Sequence, residues 1–282
     1  MLYAELDAFE PIAIQEHEGG DGWRVFFRSA ADRNAARGAL ASEFGNALLH
    51  VSAIEVDDED WARRSQASLT AIRVGRITVA PPWNAVSSQQ QEASGDIDVI
   101  TIVIDPSTGF GTGHHASTRL CLDLLQRRDL NGARVIDVGT GSGVLALAAW
   151  KLGAAHVVAI DNDADALDNA RDNVRRNGGE EAITISETDL SSASLEPADV
   201  VIANLTGALI QRQADSLRRF VGPDGALIVS GFTFDEADGV TEALDTKPLD
   251  VVNEGEWVAF SVTPGSQQPE ASSLRSRSAR SD

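Results

Sequence analysis

Val135-Ile136-Asp137-Val138-Gly139-Thr140-Gly141-Ser142-Gly143 is an apolar strand that runs into three glycines and then into a helical segment, Gly143 to Leu152. Glycines suit such a turn because the backbone must bend sharply and approach a ligand closely, which a Cβ would prevent. Eighteen residues beyond Gly143, the next apolar run, Val157-Val158-Ala159-Ile160, ends in Asp161. A carboxylate at the end of the second strand of such a unit is placed to accept hydrogen bonds from both ribose hydroxyls of an adenosine. Together the glycine loop and Asp161 predict a nucleoside-binding α/β fold.

The spacing distinguishes among cofactors. A nicotinamide dinucleotide site wants G-x-G-x-x-G, with a pyrophosphate on the helix N-terminus. This loop is G-x-G-x-G, and Asp137 stands two residues before it. An acidic side chain there would repel a pyrophosphate and suit a phosphate-free cation, such as the sulfonium and α-amino group of S-adenosyl-L-methionine. Gly139, Gly141, Asp137 and Asp161 are therefore candidate cofactor residues. A ligand-free turn and a dinucleotide site remain as alternatives. Asp163 and Asp165 read as caps of the helix that begins near Ala164. Asn162 is a candidate neighbour of the adenine, and Asp189, past the strand Ile183 to Glu187, has the position of an adenine amino contact.

Outward from this loop, β-branched runs alternate with helical segments, the mark of a parallel sheet wrapped by helices. Strands are expected at 99–104, 134–138, 156–160, 183–187, 200–203, 226–231 and 257–262, and helices at 117–128, 143–152, 164–177, 208–220 and 234–244. These form a cofactor-binding domain over residues 96–264. Residues 1–56 read as a small α+β domain, with strands at 3–15, 22–28 and 47–56 and a helix at 30–44. Residues 57–95 read as a linker with a helix at 61–69 and a strand at 76–80, and 265–282 as a disordered tail of low apolar content.

A second constellation precedes the glycine loop: Asp105-Pro106-Ser107-Thr108-Gly109-Phe110-Gly111-Thr112-Gly113-His114-His115-Ala116-Ser117-Thr118. So much backbone freedom in one loop points to a ligand-facing segment. Ser117 or Thr118 could also cap the following helix. His114 and His115 lack Cys or carboxylate companions at ligand spacing, so no metal site is expected. After the strand Val201-Ile202-Ala203 comes Asn204, at the carboxyl end, where open α/β sheets bind ligands. Its amide oxygen can accept from an incoming amine, and its alternative role is to cap the next helix. Leu205-Thr206-Gly207 follows without an aromatic.

Composition bounds the partners. With 23 Lys and Arg against 43 Asp and Glu, the net charge is −20, which repels nucleic acid and anionic lipid surfaces. Lys151 and Lys247 are the only lysines, so the composition equally fits a high-GC genome or a salty cytoplasm. The single Cys121 cannot form an internal disulfide, the N-terminus lacks a signal-peptide pattern, and no apolar run is long enough to span a membrane. A soluble cytoplasmic monomer is expected.

These stretches resemble the ribosomal protein L11 methyltransferase (PrmA) family of class I, S-adenosylmethionine-dependent protein N-methyltransferases. The resemblance runs from about Asp60 to Phe260 and is strongest over Asp105 to Thr118, Val135 to Asp161 and Asp199 to Gly207. It extends to Glu59-Asp60-Trp61, Val79-Ala80-Pro81-Pro82-Trp83 and Glu256-Trp257-Val258. The resemblance implies a Rossmann-like class I methyltransferase sheet with a small N-terminal α+β domain. It carries cofactor contacts onto Thr118, Gly139, Asp161 and Asn204, with Phe110, Gly111 and Gly113 packing over the methionine end. The family usually has Thr-His-Pro-Thr-Thr at His114–Thr118 and a second Trp at Ser65. The implied activity is methylation of lysine or terminal amines of ribosomal protein L11, taken as the free protein before assembly. Asn204 would orient the amine, and His115 is the candidate base. Competing readings are a same-fold enzyme for another protein lysine or a small amine, and a cofactor-binding protein without turnover.

Overall fold

Near the N-terminus, β1 (Ala13–Glu16) and β2 (Trp23–Phe26) pair antiparallel, with Ala13 opposite Phe26 and Glu16 opposite Trp23. Helix α1 (Ala30–Phe44) begins after Ser29, whose Oγ accepts from the Asp32 amide at 3.1 Å. A side-chain oxygen there satisfies one of the helix's unpaired first-turn N–H groups. These elements lie in the first of two compact units, Met1–Arg63, and everything below lies in the second, Arg64–Asp282. The computed structural model describes residues 13–16, 23–27, 29–44, 69–85, 99–106 and 113–263. The expected strand at 47–56, most of the helix at 61–69, Phe110, Gly111 and the tail lie outside the described residues.

The second unit holds two sheets. In the smaller, β3 (Ile72–Val74) runs antiparallel to β4 (Ile77–Ala80), which runs parallel to β5 (Ile100–Val103). The β-branched pattern at 99–104 predicts a strand of the large sheet; the strand instead pairs with β4. The pattern reports that a strand is buried, not which neighbour covers it. Ile77, Val79 and Ile102 are buried in one cluster with Leu122 and Leu125.

The rest alternates as α2 (Ala116–Gln126), β6 (Arg134–Val138), α3 (Val144–Lys151), β7 (His156–Asp161), α4 (Ala164–Asn177), β8 (Ile183–Glu187) and β9 (Ala198–Asn204). Then come α5 (Gly207–Arg212), α6 (Ala214–Arg219), β10 (Val221–Thr233), α7 (Phe234–Ala243), β11 (Asp250–Glu254) and β12 (Trp257–Val262). The single helix expected at 208–220 is divided at Gln213, whose backbone departs from helical values (φ −109°, ψ 15°). The seven strands stand in the order β11-β12-β10-β9-β6-β7-β8. From β10 to β8 they are parallel, and β12 runs antiparallel to both β10 and β11.

Alternation on β6 decides what each helix layer meets. Val135 joins Leu122, Leu125 and Leu147 on one face, while Ile136 and Val138 join Ile210, Leu217 and Val240 on the other. The strand order reverses between β6 and β9, where the chain leaves β6 first toward β7 and later returns to β9. An open α/β sheet carries its ligand crevice at that switch point, outside the carboxyl ends of the strands. The sheet is of the α/β class that the glycine loop predicts and has the Rossmann-like form that the resemblance implies.

Candidate functional site

The glycine loop leaves β6 at this switch point. Gly139 has φ +69°, and a Cβ built on it would lie 2.4 Å from Leu205 Cδ2, so the residue after Asn204 packs directly on the loop. Only glycine meets both demands. The loop is also stitched to β7, since the Gly139 and Thr140 amides donate to the Ile160 carbonyl at 2.9 and 3.0 Å. Asp161 completes the frame from the end of β7. Its Oδ2 accepts from Gly141 N at 2.9 Å, and its Oδ1 from Asn162 N and Asp163 N at 2.8 and 3.1 Å.

Asp137 points from β6 into the first turn of α3. Gly143, at the N-cap, has no side chain to cap that helix. Asp137 does so from the strand, its Oδ2 accepting from Ala146 N at 3.0 Å and from Thr140 Oγ1 at 2.7 Å. Oδ1 is buried with no hydrogen-bond partner among the described residues. Burial pushes the carboxyl up to about 6, against the Thr140 and Ala146 hydrogen bonds, which lower it; Asp161 adds a smaller upward push. A buried anionic oxygen without a partner fits a cationic ligand group nearby.

On the other side of the switch point, Asn204 ends β9 in register with Ser230 of β10. Its Nδ2 donates to Thr118 Oγ1 at 3.3 Å, across 86 residues of sequence. Thr118 is buried in the first turn of α2. The cap of that helix is His115 rather than Ser117 or Thr118: its Nδ1 accepts from Ser117 N at 3.3 Å and lies 2.7 Å from Ser117 Oγ. The His115 ring meets Trp257 edge to face at 4.4 Å. Desolvation, then the Arg119 charge, lower the His115 pKa against an upward pull from Glu254. Gly113 is buried with φ +85°, and an added Cβ would meet Ile72 and Val79 of the small sheet at 3.1 and 3.2 Å.

The structure thus gathers Asp137, Gly139, Gly141, Asp161, Thr118, His115 and Asn204 along the carboxyl edge of the sheet. Asp189 stands one residue past Thr188, whose amide donates to Asp161 O at 2.8 Å. Its own carboxylate is exposed and accepts from Ser191 N at 2.7 Å and from Ser191 Oγ; these bonds lower its pKa. No cluster of His, Cys, Asp or Glu able to hold a metal occurs among the described residues.

Three features escaped the sequence reading. Arg119 Nε reaches both Glu254 oxygens at 3.1 and 2.9 Å, tying α2 to the β11–β12 hairpin. Trp257, on that hairpin, packs on His115. Asn173, fully buried on α4, accepts from Asp105 N at 2.8 Å and donates to Ser142 O at 2.9 Å. A usable signal for the last was present: Asn169, Asn173 and Asn177 recur every four residues on one helix face.

A family model described as ribosomal protein L11 methyltransferase (PrmA) matches residues 8–264. The chain is 39% identical over 209 residues to the ribosomal protein L11 methyltransferase of Symbiobacterium thermophilum, covering 73% of this chain and 66% of that one. It is 34% identical over 259 residues to that of Photorhabdus laumondii, covering 90% and 84%. Among solved structures, the ribosomal protein L11 methylase of Lactobacillus delbrueckii subsp. bulgaricus superposes with a TM-score of 0.63 at 26% identity, over 70% of this chain and 99% of that one.

Proposed function

Because the chain belongs to the ribosomal protein L11 methyltransferase (PrmA) family, we propose that it transfers methyl groups from S-adenosylmethionine to amine nitrogens of ribosomal protein L11. The observation that carries the reading is the Asn204–Thr118 hydrogen bond at the switch point. With Nδ2 committed to Thr118, Oδ1 is the acceptor that Asn204 offers to an amine N–H.

When bound, the cofactor supplies an electrophilic methyl group on a sulfonium. Asp161 would hold its ribose hydroxyls, the Gly139–Gly143 loop its close backbone approach, and Asp137 Oδ1 the charge of its methionine end. Asp189 would take the adenine amino group, and Phe110 to Gly113 would cover the methionine moiety. In-line transfer asks the protein chiefly to orient a neutral amine. Deprotonating a lysine of pKa 10.4 at pH 7 costs about 4.6 kcal/mol, and a terminal amine about 1 to 1.5 kcal/mol. A dry crevice lowers that cost by disfavouring the ammonium form. Asn204 orients the amine, and His115, its pKa lowered by desolvation, would take up the released proton only at Nδ1, by giving up the cap of α2.

The net charge of −20 supports recognition of the free, basic ribosomal protein before RNA covers its charge. Residues 1–56 would make that recognition, residues 57–95 link it to the catalytic domain 96–264, and the enzyme would act as a monomer without contacting nucleic acid.

Intact-mass analysis of ribosomal proteins from host cells with and without this chain tests the reading. Increments of one methyl mass on L11 are expected only with the wild-type chain, and not with Asn204→Ala at equal cofactor occupancy. Unchanged L11 alongside a methylated second protein or a small amine would transfer the activity to that acceptor.

A further inference from the structure

We propose that Asn173 is a positioning residue for the cofactor, its buried amide tying the glycine loop at Ser142 to the chain at Asp105. The proposal rests on the cofactor reading above. Asn173 has no exposed surface, and its amide makes three hydrogen bonds. Oδ1 accepts from Asp105 N at 2.8 Å, two residues past the end of β5. Nδ2 donates to Ser142 O at 2.9 Å, in the glycine loop, and to Asn169 Oδ1 at 2.9 Å.

One turn later Asn177 does similar work. Val103 N donates to its Oδ1 at 2.9 Å, while its Nδ2 donates to Val103 O at 2.7 Å. The amide thus pairs with β5 as a neighbouring strand would. Arg176 adds an ion pair to Asp105 at 2.9 Å. The chain from Val103 to Asp105 is therefore registered against α4, the helix that begins three residues past Asp161.

A polar group this deeply buried costs stability unless it is fully bonded, and an apolar residue would fill the same place on α4. What an apolar residue cannot do is hold Asp105 N and Ser142 O at a fixed separation. One rigid amide sets the spacing between the glycine loop and Asp105, which reduces what the cofactor must order in that loop on binding.

The test uses the full chain, with calorimetry of S-adenosylhomocysteine, steady-state kinetics, and amide hydrogen exchange without ligand. Asn173→Asp keeps the size and the acceptor for Asp105 N but removes the donor to Ser142 O. The expected result is a dissociation constant and a KM for S-adenosylmethionine raised about tenfold or more, with kcat held within about threefold. Leu167→Ala, a core deletion on the same helix, should lower the melting temperature while leaving that dissociation constant within about twofold. If Asn173→Asp melts lower but binds like wild type, Asn173 is only a packing residue and the proposal falls. Should Asn173→Asp fail to fold, Asn173→Ser, whose single hydroxyl cannot span Asp105 N and Ser142 O, is held to the same two outcomes. A wild-type chain that binds no S-adenosylhomocysteine would overturn the cofactor reading instead. In that event exchange decides the link: a joint rise at Asp105 and at Gly141 to Gly143 in Asn173→Asp supports it, and a rise at one alone refutes it.

Discussion

Asp161 accepts three backbone N–H groups, from Gly141, Asn162 and Asp163, so its carboxylate is aimed before a ribose reaches it. Asp161→Ala should weaken S-adenosylmethionine binding by about 1.5 to 3 kcal/mol, the worth of hydrogen bonds to a charged group. Titration calorimetry that returned the wild-type affinity would remove the ribose assignment. Asp137 makes a prediction of opposite flavour, because its buried carboxyl has a pKa of about 6, above the ordinary 3.8. A raised value means that its contribution to stability is complete below about pH 3.8 and is lost as pH rises through about 6. Asn at this position does not titrate. The stability of Asp137→Asn relative to wild type should therefore climb between pH 4 and pH 8, by on the order of 3 kcal/mol. Denaturant melts of both ligand-free proteins showing a constant difference across that range would contradict it. Asp137 was legible in the sequence as an acid before a glycine turn. Its second task, capping α3 in place of Gly143, was not, because strand and helix meet only after folding.

Helix α2 shows how an element inherits its chemistry from its neighbours. His115 caps it, Thr118 in its first turn holds Asn204, and Arg119 ties it to Glu254 on the β11–β12 hairpin. The lowered His115 pKa means that its contribution to stability is present above the unfolded value of 6.5 and is lost as pH falls through the folded one. Protonation removes the Nδ1 lone pair that accepts from Ser117 N and puts a positive charge at the positive end of the helix dipole. His115→Asn retains a capping side chain that does not titrate. Wild type should lose more stability than this variant between pH 7.5 and pH 5, because only its cap titrates. Parallel melting curves for the two proteins would show that the cap does not govern the acid limb. The sequence placed this helix within a residue or two but assigned its cap to Ser117 or Thr118. A histidine cap is recognised by the direction of its ring, which here is held against Trp257, 142 positions along the chain.

At the scale of the molecule, the reversal of strand order between β6 and β9 puts the glycine loop and Asn204 on one edge of the sheet, in a chain whose net charge is −20. If that charge gathers a basic protein substrate, its KM should rise several-fold from about 50 to about 500 mM salt, while the KM for S-adenosylmethionine changes far less. Equal salt dependence of the two constants would make the acidity a general property of the surface. The sequence by itself determined the α/β class, the glycine loop, Asp161 and the end of β9, because a strand, its turn and the next helix are contiguous and their geometry is local. Tertiary structure alone decided that β5 leaves the large sheet for β4, that Asn173 bonds to Asp105 across 68 residues, and that Arg119 meets Glu254 across 135. Those pairings depend on which buried surfaces and unpaired polar groups come face to face once the layers pack, and no local periodicity records that.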